Sequence, residues 1–217
     1  MAGYGGAGAV SARAVKARAV RIWITGPIAC GKSTIAGWLA ERPDVVAIDA
    51  DRVARDVLAP GTREVEAVYT RFGEDLRATD GSLDRAALGR IVFTDQTALH
   101  DLEDIVHPAV RPRILAAIAG AEAGGATAVV VEAIKLVEGG LAELCDEVWL
   151  ITCGPATQID RLVGRGSARA DAVARIAAQR GLADRLAPTA TRILDTSGPV
   201  DEVWAAVDAA FRAAIAR

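Results

Sequence analysis

The sequence contains no asparagine, few aromatic residues and only three cysteines. Aromatic residues make up 4% of the chain, so a stacking platform for single-stranded nucleic acid is not expected. Cys30, Cys145 and Cys153 have neither zinc-ligand nor disulfide-framework spacing, which indicates a reducing, cytoplasmic environment. No apolar run reaches the roughly 18 to 20 residues of a membrane span. The net charge of -3 likewise disfavours broad attraction to nucleic acid or membrane surfaces.

What the chain does have is the composition of a folded domain. Its 217 residues are 52% hydrophobic and 24% charged, which suits one globular domain. The first residues differ, because they are rich in glycine and carry Arg13, Lys16 and Arg18 without an acid. Targeting peptides also carry basic residues without acids, but this segment lacks the continuous apolar stretch of a signal peptide. We therefore expect a disordered tail over residues 1–19 and a single domain over residues 20–217.

Short β-branched segments alternate with longer helical patterns after the tail. The expected strands are residues 20–25, 44–49, 128–133, 146–152 and 191–196. Several are apolar almost throughout, which is typical of strands covered on both faces of a parallel sheet. The alternation predicts a three-layer α/β domain with right-handed crossovers.

The segment between the second and third strands is longer than one crossover requires. Helices are expected to begin after Thr62, after residues 80–82, near Asp95, and at His107-Pro108, where proline suits a first helical turn. We therefore expect a helical insertion over about residues 60–125, standing over one end of the sheet.

The segment 26-GPIACGKS-33 fits the pattern G-x-x-x-x-G-K-[ST] between a strand and a helix. Glycines let successive backbone N–H groups converge on phosphate oxygens at a helix N-terminus, whose dipole favours anions. Lys32 is expected to reach the β- and γ-phosphates, Ser33 to ligate Mg²⁺ and Thr34 to touch the α-phosphate. The alternative is a glycine-rich turn with an exposed lysine. The pattern indicates a nucleoside triphosphate but no particular reaction.

Asp49 and Asp51 lie at the carboxyl end of the second expected strand, where ligands bind in open α/β sheets. In an extended chain both carboxylates would face the same side, one accepting a proton and the other ordering Mg²⁺. Equally, Asp51 could simply cap a helix that begins at Arg52. A guanine-specific switch is excluded, because its Asn-Lys-x-Asp reader cannot occur in a chain without asparagine.

Beyond the phosphate loop, the sequence resembles the dephospho-coenzyme A kinases from Arg21 to its C-terminus. The motifs that carry the resemblance are TGPIACGKST, IDADRVARDVLAPG, FGED with DGSLDRAALGRIVF, LEDIVHPAV, RLVGR with ARIAAQ, and ILDTSG. It implies a P-loop kinase fold with a parallel five-stranded sheet of order 2-3-1-4-5, an insertion on the coenzyme A side, and a lid over about residues 161–172. The implied reaction transfers the ATP γ-phosphoryl group to the ribose 3′-hydroxyl of dephospho-coenzyme A, the last step of coenzyme A synthesis.

The resemblance also implies roles for individual residues. Asp51 matches the catalytic carboxylate, with Lys32 and Arg161 expected to act beside it. The expected ATP-binding residues are Gly26, Ala29, Cys30, Gly31, Lys32, Ser33, Thr34, Arg165 and Gly198. The expected acceptor-binding residues are Asp49, Arg55, His107 and Lys135. Magnesium is expected at Ser33, with Asp49 and Glu132 acting through water. The partners are then ATP and dephospho-coenzyme A, bound by a monomer or a weak homo-oligomer.

Several of these residues have simpler alternatives. Arg55, and the pair Arg161 and Arg165, could be solvated helix residues, and Glu132 and Lys135 could be local variation paired with each other. Relatives often have glycine at the positions of Pro27 and Ala29.

Two other functions share the motifs: a kinase of the same fold with another nucleotide or small-metabolite acceptor, and an ATP-driven binding module without a chemical acceptor.

Overall fold

The structure is a computed structural model that describes residues 18–133 and 144–216. Its centre is a parallel five-stranded sheet in the order β2-β3-β1-β4-β5. The strands are β1 (Val20–Thr25), β2 (Val45–Asp49), β3 (Ala128–Glu132), β4 (Glu147–Thr152) and β5 (Arg192–Asp195). The predicted strands and their order are therefore confirmed.

Helices cover both faces of the sheet. They are α1 (Lys32–Ala40), α2 (Ala50–Val57), α3 (Arg63–Phe72), α4 (Arg85–Val92), α5 (Gln96–Gly124), α6 (Pro155–Gly164), α7 (Arg169–Ala177), α8 (Leu182–Leu186) and α9 (Val200–Ile215). Among the helices of the described residues, none is long and apolar enough to cross a membrane.

Successive side chains of β1 point to opposite faces of the sheet, and the core on each face is a separate cluster. Ile22 and Ile24 face α1 and α9, where they share a cluster with Leu39 and Phe211. Trp23 faces the other side and belongs to a cluster with residues of α2 and α5. Because both faces are buried, β1 and its neighbours need apolar side chains at successive positions.

The chain between α2 and β3 forms a helical layer with its own core. Buried residues of α3 and α4 pack there against the first half of α5. Thr62, Asp84 and Asp95 cap the three helices, each accepting a hydrogen bond from a backbone N–H of the first turn. These helix starts confirm the predictions at Thr62 and near Asp95.

The predicted helix start at His107-Pro108 is wrong. Both residues lie inside α5, a continuous helix of 29 residues that also contains Pro112. An interior proline costs about 3 kcal/mol because it removes a hydrogen bond and crowds the preceding turn. Packing offsets this cost, since the first half of α5 joins the helical layer and Ile114 and Ile118 join the sheet core.

Helix α6 begins at Pro155, with proline in its first turn. The predicted boundary of the tail shifts by two residues. Arg18 and Ala19, assigned to the tail, already contact the domain: Ala19 is buried, and Arg18 forms an ion pair with Asp146.

Candidate active site

The loop between β1 and α1 packs tightly against β4. Gly26 has a φ of +139°, and a Cβ atom built there would lie 2.1 Å from the carbonyl oxygen of Ile151. Gly31 has a φ of +92° and is the N-cap of α1. Side chains are disfavoured in such conformations, so both glycines of the motif are required by the local geometry.

Ala29, in the middle of this loop, adopts a left-handed conformation with a φ of +60°. A left-handed alanine costs about 1 kcal/mol relative to glycine. The side chain is nevertheless buried, in a small cluster with Leu162 of α6 and Ala172 of α7, and this packing offsets part of the strain.

Lys32 and Ser33 form the first turn of α1. Lys32 is buried, and its Nζ donates a hydrogen bond of 2.9 Å to the Pro27 carbonyl. Burial lowers the pKa of Lys32, while the negative charges of Glu132 and Asp51 act in the opposite direction. The lysine therefore lies within electrostatic reach of both carboxylates, at the end of the helix where a phosphate would bind.

Glu132 ends β3 beside the loop. Its Oε1 accepts a hydrogen bond of 2.7 Å from the Ser33 hydroxyl. Burial raises the pKa of Glu132, against the hydrogen bond from Ser33 and the charge of Lys32. Asp49 is opposite Glu132 in the β2–β3 register. These hard oxygen donors fit Mg²⁺, which commonly binds one or two protein oxygens together with substrate phosphates and water.

Asp49 and Asp51 do not share an extended segment. Helix α2 begins at Ala50, and Asp49 is its N-cap: Oδ1 accepts a hydrogen bond from the Arg52 N–H at 2.9 Å. Asp51 is exposed in the first helical turn. The alternative in which Asp51 caps a helix starting at Arg52 is therefore wrong, which leaves the Asp51 carboxylate available for another role.

Arg161 joins three segments around the phosphate loop. Its guanidinium donates to the Ala29 carbonyl at 3.1 Å, to Thr196 Oγ at 2.9 Å and to the Thr196 carbonyl at 2.7 Å. Thr196 is buried and donates in turn to the Cys30 carbonyl at 2.8 Å. Arg161 is thus an ordered part of the site and not a solvated surface residue.

A cavity of about 210 Å³ opens beside this network. Gly31, Thr34, Arg161, Arg165 and Gly198 line it, together with residues of α9. Four predicted ATP-binding residues, Gly31, Thr34, Arg165 and Gly198, therefore line one cavity together with Arg161. The lining does not include the other five, Gly26, Ala29, Cys30, Lys32 and Ser33.

Sequence reasoning missed two glutamines that hold the loop by its backbone. The Ile28 N–H donates to Gln179 Oε1 at 2.7 Å, and Gln158 Nε2 donates to the Ile28 carbonyl at 2.7 Å. Gln158 lies in α6, and Gln179 follows α7. Gln179 is the last residue of the ARIAAQ segment used for the resemblance, but side-chain-to-backbone contacts leave no recognisable sequence pattern.

Three of the predicted acceptor-side residues are less closely tied to this site. Arg55 forms an ion pair with Asp49, with Nη2 and Oδ2 3.5 Å apart. His107 is exposed in the middle of α5. Lys135 lies outside the described residues. Their acceptor-binding roles stay predictions.

The phosphate-binding loop lies at the carboxyl ends of a parallel sheet of order 2-3-1-4-5, opposite carboxylates and basic side chains. This arrangement defines a P-loop kinase. A sequence model described as dephospho-CoA kinase matches residues 20–202. A dephospho-CoA kinase of Symbiobacterium thermophilum is 44% identical over 194 residues, covering 89% of this chain and 80% of the relative. One of Streptomyces avermitilis is 45% identical over 187 residues, covering 85% and 88%. The chain belongs to the dephospho-CoA kinase family.

Solved structures are similar over most of the chain. The dephospho-CoA kinase of Campylobacter jejuni is 25% identical, with a TM-score of 0.66, covering 88% of this chain and 95% of that one. A crystal structure from Thermus thermophilus is 28% identical, with a TM-score of 0.75, covering 90% and 98%. Both therefore share the overall fold of this chain.

Proposed function

We propose that the protein transfers the ATP γ-phosphoryl group to the ribose 3′-hydroxyl of dephospho-coenzyme A. We propose dephospho-coenzyme A as the acceptor because the chain belongs to the dephospho-CoA kinase family. The observation that carries the chemistry is the meeting of Lys32, Ser33, Glu132 and Asp51 at one end of the sheet.

Each residue has a distinct task in this proposal. The loop N–H groups and Lys32 bind the β- and γ-phosphates, and Arg161 stabilises charge on the migrating group. Phosphoryl transfer has a loose transition state, so catalysis is mostly positioning and electrostatic stabilisation. Asp51 therefore orients the 3′-hydroxyl and accepts its proton as the bond to phosphorus forms. Its free position in the first turn of α2 supports this role.

Magnesium is part of the same proposal. Ser33 would hold the ion directly, and Glu132 and Asp49 would hold it through water. When bound, Mg²⁺ supplies neutralisation of the phosphate charge. Cys30 and Gly31 contribute through the loop backbone, while Arg165 and Gly198 bound the nucleotide cavity.

The substrate-side assignments go further. Arg55 and His107 are proposed to contact dephospho-coenzyme A from α2 and α5, with residues 161–172 closing over ATP as a lid. We propose a monomer or a weak homo-oligomer as the working unit. The three cysteines are free thiols, the state that a reducing cytoplasm maintains, and we propose that location.

The test is to incubate the protein with MgATP and dephospho-coenzyme A and to follow both products by mass-resolved chromatography. We expect coenzyme A and ADP in equal amounts. Asp51→Asn should lower kcat by on the order of 100-fold or more, the range of a lost acid–base group. The matched control is Asp56→Asn, because Asp56 is exposed on the same helix and has no assigned role.

Other outcomes would favour the rival functions. ADP without coenzyme A would indicate an ATP-driven binding module. Turnover of AMP or another small acceptor in preference to dephospho-coenzyme A would indicate a different kinase. Equal effects of the two aspartate substitutions would refute the role of Asp51.

A further inference from the structure

Two cysteines that are far apart in the sequence meet beside the phosphate loop. The Sγ atoms of Cys30 and Cys153 lie 3.0 Å apart, and both residues are free thiols. Cys30 immediately precedes Gly31, the N-cap of α1, and Cys153 immediately follows β4. The contact arises because β1 and β4 are parallel neighbours, so the segments after both strands emerge at the same end of the sheet.

The two thiols differ in access. Cys30 is completely buried, whereas Cys153 is partly exposed. Cys153 lines a cavity of about 410 Å³ on the side of the loop where α6, α7 and α8 meet. Pro27, Pro155 and Ile176 share that wall, which leaves it largely apolar. A small neutral oxidant can therefore reach Cys153 without entering the nucleotide cavity.

The surroundings also make Cys153 the more nucleophilic thiol. The hydrogen bond between the two thiols, helped by the charge of Arg161 and a hydrogen bond from Thr196, lowers the pKa of Cys153 to about 7. Burial and the charge of Asp195 act in the opposite direction. The same contact raises the pKa of Cys30. A thiolate beside a protonated thiol is the arrangement of an attacking cysteine and a resolving cysteine.

We propose that Cys153 and Cys30 are a site of reversible oxidation, at which a hydroperoxide converts the pair to a disulfide and inactivates the enzyme. The Cys153 thiolate attacks one peroxide oxygen and the O–O bond breaks, giving a sulfenic acid and hydroxide. The Cys30 sulfur then attacks Cys153 Sγ, the S–O bond breaks, and the Cys30 proton leaves with the hydroxyl group as water. In total, two thiols and hydrogen peroxide give one disulfide and two waters. A dithiol reductant reverses the reaction by thiol–disulfide exchange.

The disulfide would move the phosphate loop. A sulfur–sulfur bond is about 2 Å long, so the two Sγ atoms must approach by about 1 Å from their distance of 3.0 Å. The Cys30 carbonyl accepts the hydrogen bond from Thr196, and the next residue, Gly31, is the N-cap of the helix that follows the phosphate loop. A displacement of about 1 Å in a reacting site can reduce the rate by on the order of 100-fold.

The test uses the 217-residue chain with stoichiometric hydrogen peroxide. Intact-mass spectrometry should show a loss of two hydrogen atoms, and peptide mapping should join the peptides of Cys30 and Cys153. The kcat/KM for ATP should fall by on the order of 100-fold and return after treatment with dithiothreitol. Cys153→Ser should keep its activity after peroxide, whereas Cys145→Ser, the matched control, should respond like the parent.

Cys153→Ala provides a second test that does not rely on serine packing in this site. Circular dichroism of each variant confirms that it is folded before its activity is compared. Three results would overturn the proposal: no linked peptide in the parent, a linked peptide with unchanged kcat/KM, or inactivation that persists in both Cys153 variants. Because the reduced parent is assayed in parallel, failure of this proposal is distinct from absence of kinase activity.

Discussion

Replacing Gly26 by alanine should destabilise the fold severely, although it adds only one methyl group. The new Cβ would lie 2.1 Å from the Ile151 carbonyl oxygen, and this backbone atom cannot rotate away. The residue would also keep a φ of +139°, which is a strained conformation for any side chain. The substitution therefore combines a steric overlap with backbone strain at one position.

The magnitude follows from these two contributions. A non-glycine residue in a forbidden backbone region costs about 1–3 kcal/mol, and overpacking of a close contact costs about 1–3 kcal/mol. We expect the free energy of unfolding to fall by about 4 kcal/mol, a large part of the roughly 5–15 kcal/mol that holds a typical domain folded. For a chain of this size the melting temperature should fall by about 8–16 °C.

Gly37→Ala is the matched control, since Gly37 lies exposed within α1 and a Cβ built there meets no heavy atom within 4 Å beyond its chain neighbours and the backbone of its own helix. Alanine favours a helix over glycine by about 0.5–1 kcal/mol, so this variant should be more stable than the parent. Urea unfolding of both variants measures the difference. A Gly26→Ala variant within about 1 kcal/mol of the parent would refute the reasoning.

Three shorter predictions follow from other contacts. Arg192→Met should cost about 3 kcal/mol by urea unfolding, because Glu147, 1% exposed, loses the guanidinium paired with it, although Trp149 Nε1 still donates a hydrogen bond to its carboxylate; a loss well below 1 kcal/mol would contradict this. The rate of modification by iodoacetamide should rise with a pH midpoint of about 7 at Cys153. Burial raises the pKa of Cys145 to about 12, so Cys145 should react only at far higher pH. If peptide mapping gives the same dependence of rate on pH for both cysteines, the electrostatic argument is refuted. Gln179→Leu should weaken ATP binding, measured calorimetrically, because one phosphate-loop N–H loses its acceptor; unchanged affinity would contradict it.

Local patterns predicted the strands and the phosphate loop because their causes are local. A β-branched apolar segment is buried in whichever parallel sheet it joins, and the spacing of Gly26, Gly31 and Lys32 follows from one turn of backbone. The same applies to the caps at Thr62 and Asp95, which need only their own helix.

The errors arose where tertiary packing outweighs a local rule. Pro108 suits a first helical turn, yet contacts at both ends of α5 keep the helix continuous through it. At α2 the alternative of Asp51 as a cap differed by two residues: Asp49 caps the helix, and Asp51 lies in its first turn. The contact between Cys30 and Cys153 depends on the pairing of β1 with β4, which no single segment of sequence encodes.

The hydrogen bonds of Gln158 and Gln179 to Ile28 have a thermodynamic consequence. The backbone carbonyl and N–H of this loop residue are bonded to α6 and to the segment after α7, respectively. A change in the conformation of the loop therefore changes the stability of those helices. Linkage requires such coupling to be reciprocal. If the folded helices increase the affinity of the loop for nucleotide, a bound nucleotide stabilises the helices by the same free energy. Slower amide hydrogen exchange in α7 would then report ATP binding at a distance.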